Sequence, residues 1–222
     1  MDRTKLQEKE PLIQRASSDG QKFEKKDQII KMAERLLKEE KKDLPSVNEI
    51  IQSLNIAKGT FYLYFKTKEE IYLEILRNHN QILFDLLENC IDSSKSSNKL
   101  IENISKVLLN FAKKYPDAMK LSSISGSILE ANIEIDVAVN YKTMLVNRMN
   151  VLVIKISKKI DLSPARIKNN LLTTYVLWTS LWQHNNPPES IKQLMSICPL
   201  DELLIDFDKT FISSAKKLWR ED

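Results

Sequence analysis

Glycine is rare in this chain, which has three glycines among its 222 residues. Dinucleotide-binding folds and P-loops need clustered glycines, whereas Gly20, Gly59 and Gly126 stand singly. Sandwiches and barrels of short strands also depend on glycine-rich turns. The scarcity of glycine therefore excludes the common nucleotide-binding classes, disfavours an all-β fold and favours an all-α protein.

Residues that bind metals or act as nucleophiles are also few. Cys90 and Cys198 lie far apart in the sequence, and neither has a C-x-x-C partner. His79 and His184 stand in no spacing that is typical of a zinc site. The sequence also contains no G-x-S-x-G nucleophile motif. We therefore expect no metal site, no cofactor and no enzymatic activity.

Long apolar runs are absent as well. Candidates such as residues 151–154 are four residues long, whereas a membrane-spanning helix needs about 20. The first ten residues carry six charged side chains and no apolar segment, so we expect no signal peptide. These observations predict a cytoplasmic protein with no membrane partner. The formal net charge of +4 is mild, so an interaction with nucleic acid would depend on local charge.

Most of the sequence follows the spacing of amphipathic helices, with apolar residues three and four positions apart. This spacing predicts a first helix from Lys22 to Glu40. Two capping boxes, at residues 46–49 and 67–70, predict the starts of two later helices. Further on, Ser163 followed by proline predicts another helix start, and Asp201 is expected to cap the final helix. We find no convincing strand.

A helix-turn-helix arrangement is predicted within residues 22–66. Its second short helix would run from Ala57 to Phe65, with Phe61 and Phe65 facing inward. The outward positions of this helix and its end are Lys58, Gly59, Thr60, Tyr62, Tyr64 and Lys66. A glycine inside a helix costs about 1 kcal/mol relative to alanine, which is understandable if the backbone must closely approach a DNA strand. The alternative is a small helical subdomain with a solvated lysine face.

The residues themselves resemble those of the tetracycline-repressor-like (TetR) family of bacterial transcription regulators. The resemblance extends from about Ile29 to Leu76 and is densest over residues 56–70, which read I-A-K-G-T-F-Y-L-Y-F-K-T-K-E-E. The family signature is close to V-S-K-G-T-hydrophobic-Y-x-(H/Y)-F-x-(S/T)-K-E-E. The resemblance implies an N-terminal three-helix DNA-binding domain, followed by a helical ligand-binding and dimerisation domain.

The resemblance also implies which residues meet double-stranded DNA. Approach to bases and phosphates in the major groove is implied for Lys58, Gly59, Thr60 and Tyr62. Contacts to the DNA backbone are implied for Ser46, Tyr64, Lys66 and Lys68. Hydroxyl groups and lysines are suitable phosphate ligands, which fix the position of the protein on DNA.

The chain departs from the family pattern at four positions. Ala57 replaces the usual serine and so removes a side-chain cap worth about 1 kcal/mol. Asn55 replaces a turn glycine, which is acceptable because asparagine adopts the left-handed conformation more readily than most residues. Lys41 replaces the glycine that usually ends the first helix, and Pro45 replaces a frequent threonine.

We predict three parts of the chain, which are a mobile arm over residues 1–21, the helix-turn-helix domain over 22–68 and an all-helical domain over 69–222. The resemblance implies that the last part forms a homodimer and binds a small effector. A predicted helix over residues 164–184 is apolar on two faces, and the last helix carries a stripe of apolar residues three and four positions apart.

From these patterns we expect dimer contacts at Leu172, Val176, Leu204, Phe207, Phe211 and Leu218. The alternative is that these residues cover the core of their own chain. Candidate effector contacts are Tyr115, Met119, Met144, Arg148, Met149, Tyr175, Trp178 and Trp182. The alternative is that the aromatic residues and methionines have an ordinary role in the core, and that Arg148 is solvated or paired.

Together with the resemblance, the sequence thus predicts a ligand-responsive homodimeric regulator, and specifically a repressor. It would bind a palindromic operator through the helix-turn-helix and be released by a small hydrophobic effector. The alternative is a constitutive DNA-binding protein of the same fold that senses no ligand.

Overall fold

The structure is a computed structural model that describes residues 12–39, 44–95, 97–195, 201–203 and 205–220. These residues form ten α-helices and contain no β-strand, which confirms the predicted all-α fold. The helices are α1 (Leu12–Glu39), α2 (Val47–Leu54), α3 (Lys58–Tyr62), α4 (Lys68–Ser93), α5 (Ser97–Lys114), α6 (Pro116–Ile124), α7 (Ile135–Ser157), α8 (Pro164–Asn185), α9 (Glu189–Met195) and α10 (Phe207–Leu218). A π-helix at Ser125–Leu129 and a 3-10 turn at Glu130–Asn132 connect α6 to α7.

Helix α1 starts earlier than the sequence predicted. It begins at Leu12, so the predicted start at Lys22 is corrected by ten residues. The predicted arm over residues 1–21 is therefore helical where the structure describes it, and residues 1–11 lie outside the described residues. No proline interrupts the segment between residue 12 and Pro45, and the single Gly20 costs a helix only about 1 kcal/mol.

The first predicted capping box is present as expected. The Ser46 N–H donates to Glu49 Oε2 at 2.6 Å, and the Glu49 N–H donates to Ser46 Oγ at 3.3 Å. At the start of α4, the Glu70 N–H donates to Thr67 Oγ1 at 3.2 Å. The Glu70 carboxylate instead accepts a hydrogen bond from the Lys66 N–H, at 2.8 Å. Both caps satisfy backbone groups that a helix start would leave without partners.

Of the two helix starts predicted later in the chain, one is confirmed and the other is wrong. Ser163 Oγ accepts a hydrogen bond from the Arg166 N–H at 3.3 Å, so α8 begins as predicted. The prediction for Asp201 was wrong, because this residue starts a 3-10 turn and α10 begins later. Asp206 is the cap of α10, and its carboxylate accepts from the Lys209 N–H at 2.9 Å.

Two hydrophobic cores lie along α4. The first, called the DNA-binding core after the predicted helix-turn-helix domain, joins α1, α2 and α3 to the first half of α4 and includes Ile29, Ile50 and Phe61, all completely buried. Leu121, Leu129 and Tyr141 from later segments also belong to it. The second, called the effector-domain core after the predicted effector-binding domain, joins the second half of α4 to α5, α6, α7, α8 and α10. Residues of α4 therefore contribute to both cores.

Polar contacts add to this link between the domains. The Tyr72 hydroxyl of α4 donates to the Pro45 carbonyl oxygen at 2.7 Å, which anchors the chain just before α2. The Asn80 amide of α4 donates to the Tyr141 hydroxyl of α7 at 2.9 Å, and both side chains are buried. Buried polar groups need such partners, so these bonds fix the positions of α2 and α7 relative to α4.

No helix among the described residues is both long enough and apolar enough to cross a membrane. In the same part of the chain, no group of three or more histidine, cysteine, aspartate or glutamate side chains is placed to hold a metal ion.

Candidate nucleic-acid interface

The turn between α2 and α3 is built by a residue in the left-handed conformation. Asn55 has φ 49° and ψ 49°, and its N–H donates to the Gln52 carbonyl oxygen at 3.1 Å. The next residue, Ile56, donates its N–H to the Ile51 carbonyl oxygen, also at 3.1 Å. Asparagine tolerates this conformation better than most residues, so it replaces the turn glycine without loss of the motif.

The inner face of α3 packs into the DNA-binding core. Phe61 and Phe65 are buried there, with ring centroids 6.1 Å apart. The ammonium group of Lys26, on α1, lies 5.4 Å from the centroid of the Phe65 ring. These contacts hold α3, a helix of only five residues, in a fixed orientation on the rest of the domain.

The outer face of α3 presents four exposed residues to solvent. Lys58 and Gly59 are exposed at its start, and Tyr62 is 47% exposed at its end. Leu63, which follows directly, is 80% exposed, and the sequence analysis did not identify it. The exposure of Leu63 could have been predicted, since Phe61 and Phe65 face inward and the position midway between them must face outward. An exposed leucine directly after Tyr62 is suited to apolar contact with a thymine methyl group.

Gly59 is not required by the packing of the protein itself. A Cβ atom placed on this residue would have no heavy atom within 4 Å, apart from its own helical neighbours, and its φ is not positive. The fold therefore tolerates a side chain at position 59. The reason for a glycine is then expected outside the protein, where a DNA strand would approach the backbone.

The predicted backbone contacts differ in their surroundings. Ser46 is half-buried and occupied by its capping box, and Tyr64 is half-buried against the DNA-binding core. Lys68 is the first residue of α4 and is partly exposed. Lys66 is exposed, but its Nζ donates to both carboxylate oxygens of Glu134 at 2.5 Å. This hydrogen bond raises the pKa of the Lys66 ammonium above its ordinary value.

Ala57 lacks the side-chain cap that a serine would supply. Its backbone is extended, and its side chain makes no hydrogen bond to the first turn of α3. Thr60, one turn later, is half-buried and donates its N–H to the Ala57 carbonyl oxygen at 2.9 Å. The start of α3 is therefore held by backbone hydrogen bonding and by the packing of Phe61.

The structure separates the predicted dimer contacts into two groups. Leu172 and Val176 lie one turn apart on α8 and are 45% and 59% exposed. Phe211 is completely buried in the effector-domain core, and Phe207 and Leu218 pack against the same core. The expected dimer role is corrected for Phe211, which covers its own chain, whereas the half-buried Phe207 and Leu218 stay predictions. Leu204 lies outside the described residues.

Six of the eight predicted effector contacts belong to one cluster. They are Tyr115, Met119, Met149, Tyr175, Trp178 and Trp182, all in or against the effector-domain core. Met144 packs instead against the DNA-binding core. Arg148 lies on the surface between α4 and α7, where its guanidinium contacts Asp85 at 2.5 Å and Glu88 at 2.8 Å. These ion pairs fit the alternative of a paired arginine, and an effector role for Arg148 stays a prediction.

A pocket of about 480 Å³ opens between the end of α4 and the start of α5. Its lining includes Cys90, Ser94, Lys99 and Lys106, and none of the predicted effector contacts. Burial raises the pKa of the Cys90 thiol, which makes it a weak nucleophile at neutral pH.

Comparison with known proteins agrees with this arrangement. Residues 29–75 match the description "Bacterial regulatory proteins, tetR family", and residues 79–220 match "Tetracyclin repressor-like, C-terminal domain". The search of curated proteins found no match. Regulators of this family are generally non-enzymatic DNA-binding proteins. Since the second match alone covers more than half of the chain, the protein belongs to the tetracycline-repressor-like family and is a DNA-binding transcriptional regulator.

Proposed function

We propose that this regulator is a cytoplasmic homodimeric repressor, which binds a palindromic operator and leaves it when a small hydrophobic effector binds. The observation that carries the proposal is the outer face of α3, where Lys58, Gly59 and Tyr62 are exposed on a well-anchored α2-turn-α3 unit. A major groove admits one helix, and a lysine there can donate to guanine O6 and N7. Ser46 and Lys68 would hold the DNA backbone on either side.

The exposed face of α8 supports the dimer. Leu172 and Val176 lie on this face, and Ile191 and Leu194 of the following α9 are also exposed. A second copy related by a two-fold axis would bury the same residues from both chains. The dimer would also present two equal recognition helices to the DNA. The two half-sites of such an operator lie about 34–36 Å apart, or a multiple of that distance. The operator is therefore expected to be palindromic.

A chain of aromatic rings supports an effector site in the second domain. Phe111 lies 4.8 Å from Tyr115 and 6.0 Å from Trp178, and Trp178 lies 6.1 Å from Tyr175, between ring centroids. The buried Trp178 Nε1 has no hydrogen-bond partner among the described residues. A buried donor without a partner costs about 1–3 kcal/mol, so an effector that brings an acceptor to this position would recover that energy. These features favour a hydrophobic, ring-containing effector with at least one acceptor.

The second candidate is a constitutive DNA-binding protein of the same fold that senses no ligand. The packing of Met119 and Trp178 favours it, because both side chains are almost completely buried in the effector-domain core. The two candidates differ in one observable. Hydrophobic compounds that raise the melting temperature of the protein and release it from its operator support the repressor, whereas a panel with no such compound supports the constitutive protein.

Selection of genomic DNA fragments by the purified protein tests the proposed function. We expect one enriched palindromic sequence with a symmetric footprint, bound by a dimer in sedimentation analysis. Lys58→Ala should weaken binding to this operator by about 1–3 kcal/mol if the lysine contacts a base. The matched control is Lys158→Ala, an exposed lysine at the end of α7. An asymmetric footprint bound by a monomer would contradict the dimer model.

A further inference from the structure

One ion pair joins the end of the helix-turn-helix segment to the effector domain. Lys66 follows the recognition helix, and Glu134 directly precedes the first residue of α7. The Lys66 Nζ donates to both carboxylate oxygens of Glu134 at 2.5 Å. The two residues are 68 positions apart, so this contact exists only in the folded protein.

The pair lies at the edge of the basic surface that is proposed to meet DNA. Lys58, Lys66 and Lys68 supply the positive charge of this surface, and residues 54–68 contain no acid. Glu134 brings a carboxylate to it from the other domain. The charges of Glu70 and Asp136 also raise the pKa of Lys66, after the hydrogen bond and the charge of Glu134. Lys66 therefore has an acidic partner before any phosphate arrives.

We propose that Glu134 is a positioning residue that weakens DNA binding by holding the Lys66 ammonium on the effector domain. A DNA phosphate must displace the Glu134 carboxylate before Lys66 can contact it, and the released carboxylate then repels the DNA. This inference rests on the proposed binding mode, in which Lys66 reaches the DNA backbone. It assigns Glu134 a role opposite to that of the DNA contacts.

The same contact makes DNA affinity sensitive to the position of α7. Glu134 precedes this helix, and Tyr141 of α7 is tied to Asn80 of α4 by a buried hydrogen bond. On its other side, Glu134 follows the π-helix and 3-10 turn that lead out of α6. A shift of α7 relative to α4 therefore changes the distance between Glu134 and Lys66. That distance decides how strongly the carboxylate competes with DNA.

The expected effect is modest because both side chains are largely in water. Lys66 is 65% exposed and Glu134 is 53% exposed. Ion pairs of this kind change an equilibrium by about 1.4- to 5-fold. Removal of the carboxylate should therefore raise DNA affinity by a factor in this range, and the protein should remain folded. The side chain of Glu134 makes no capping bond to α7, so its replacement leaves the helix start intact.

The test uses the full-length protein and a random-sequence DNA duplex in a salt titration. Glu134→Gln should bind this duplex about 1.4- to 5-fold more tightly than the parent at low salt. The slope of log K against log salt should be steeper by up to about one unit, since Lys66 then contributes a full phosphate contact. Glu134→Asp should bind like the parent. The matched control, Asp161→Asn, removes an exposed charge in the turn before α8 and should change neither quantity.

A double-mutant cycle separates the pair from a general effect of charge. In a Lys66→Gln background, Glu134→Gln should no longer change affinity or slope. An equal gain in both backgrounds, or no gain in the parent background, would overturn the proposed role of Glu134. Failure of the parent protein to bind any duplex would instead refute the proposed DNA-binding mode, and this outcome is visible before any variant is made.

Discussion

Replacement of Gly59 by alanine should move stability and DNA binding in opposite directions. The residue lies in the first turn of α3, is exposed and has ordinary helical backbone angles. A Cβ atom here would meet no heavy atom within 4 Å, so the free protein accepts it without rearrangement. Only the bound state, in which a DNA strand lies against the α3 backbone, should have no space for the extra methyl group.

The expected gain in stability follows from the backbone. Alanine is favoured over glycine in helices and restricts the unfolded chain, which together stabilise a protein by about 0.4–1 kcal/mol. For a chain of about 150–250 residues, 1 kcal/mol corresponds to a rise in melting temperature of about 2–4 °C. The gain should be at the lower end here, because α3 has only five residues. Operator affinity should nevertheless fall, by about tenfold if the methyl group costs 1.4 kcal/mol in the complex.

The measurements are thermal unfolding by circular dichroism and operator binding by fluorescence anisotropy. Gly126→Ala is the matched control, since Gly126 is also exposed, also has open space around a Cβ atom and lies in the effector domain. It should leave DNA affinity unchanged. A Gly59→Ala protein that binds the operator like the parent would refute the close approach of DNA to this backbone. A variant that is less stable than the parent would refute the described surroundings of Gly59.

Three further predictions concern single side chains. Lys68→Ala should weaken binding to the operator and to a scrambled duplex by similar factors. It should also make the slope of log K against log salt shallower by about one unit, whereas an unchanged slope would exclude a phosphate contact. Ser46→Ala should lower the free energy of unfolding in urea by about 1 kcal/mol through loss of the α2 cap, and Ser53→Ala on the same helix should not. Burial lowers the pKa of His79, so its folded-state pKa lies below its unfolded value. Stability should therefore fall as the pH drops below about 6.5, and His79→Gln should make this fall less steep; an identical pH profile would contradict it.

The helix-turn-helix could be predicted because its structure depends on neighbours in the sequence. The Ser46 capping box and the turn at Asn55 each involve groups within five positions of one another. The inward orientation of Phe61 and Phe65 follows from their four-residue spacing. Helical propensity without a strong breaker also extends α1 to Leu12, which the composition of the predicted arm had obscured.

The partners of the later helices could not be predicted in the same way. The apolar stripe of α10 shows which face is buried, but a periodic pattern does not state which surface covers that face. Phe211 proved to lie in the core of its own chain, whereas Leu172 of α8 remains exposed. The two helices carry similar patterns, and the packing of α10 on α5 and α8 distinguishes them.

Charged residues show most clearly which features the sequence predicts and which depend on the tertiary structure. The sequence identifies Lys66 as a cation after the recognition helix and Arg148 as a cation on a later helix. The resemblance suggested a role for Lys66, and the apolar surroundings suggested one for Arg148. Glu134 lies 68 positions from Lys66, just before α7, and Asp85 lies 63 positions from Arg148, on α4. No local pattern encodes the relative placement of these segments. A helix start or a turn is set by hydrogen bonds within about one turn of chain, so it can be read from neighbouring residues. An ion pair between segments far apart in the sequence depends on how whole helices pack, and therefore becomes visible only when the chain is folded.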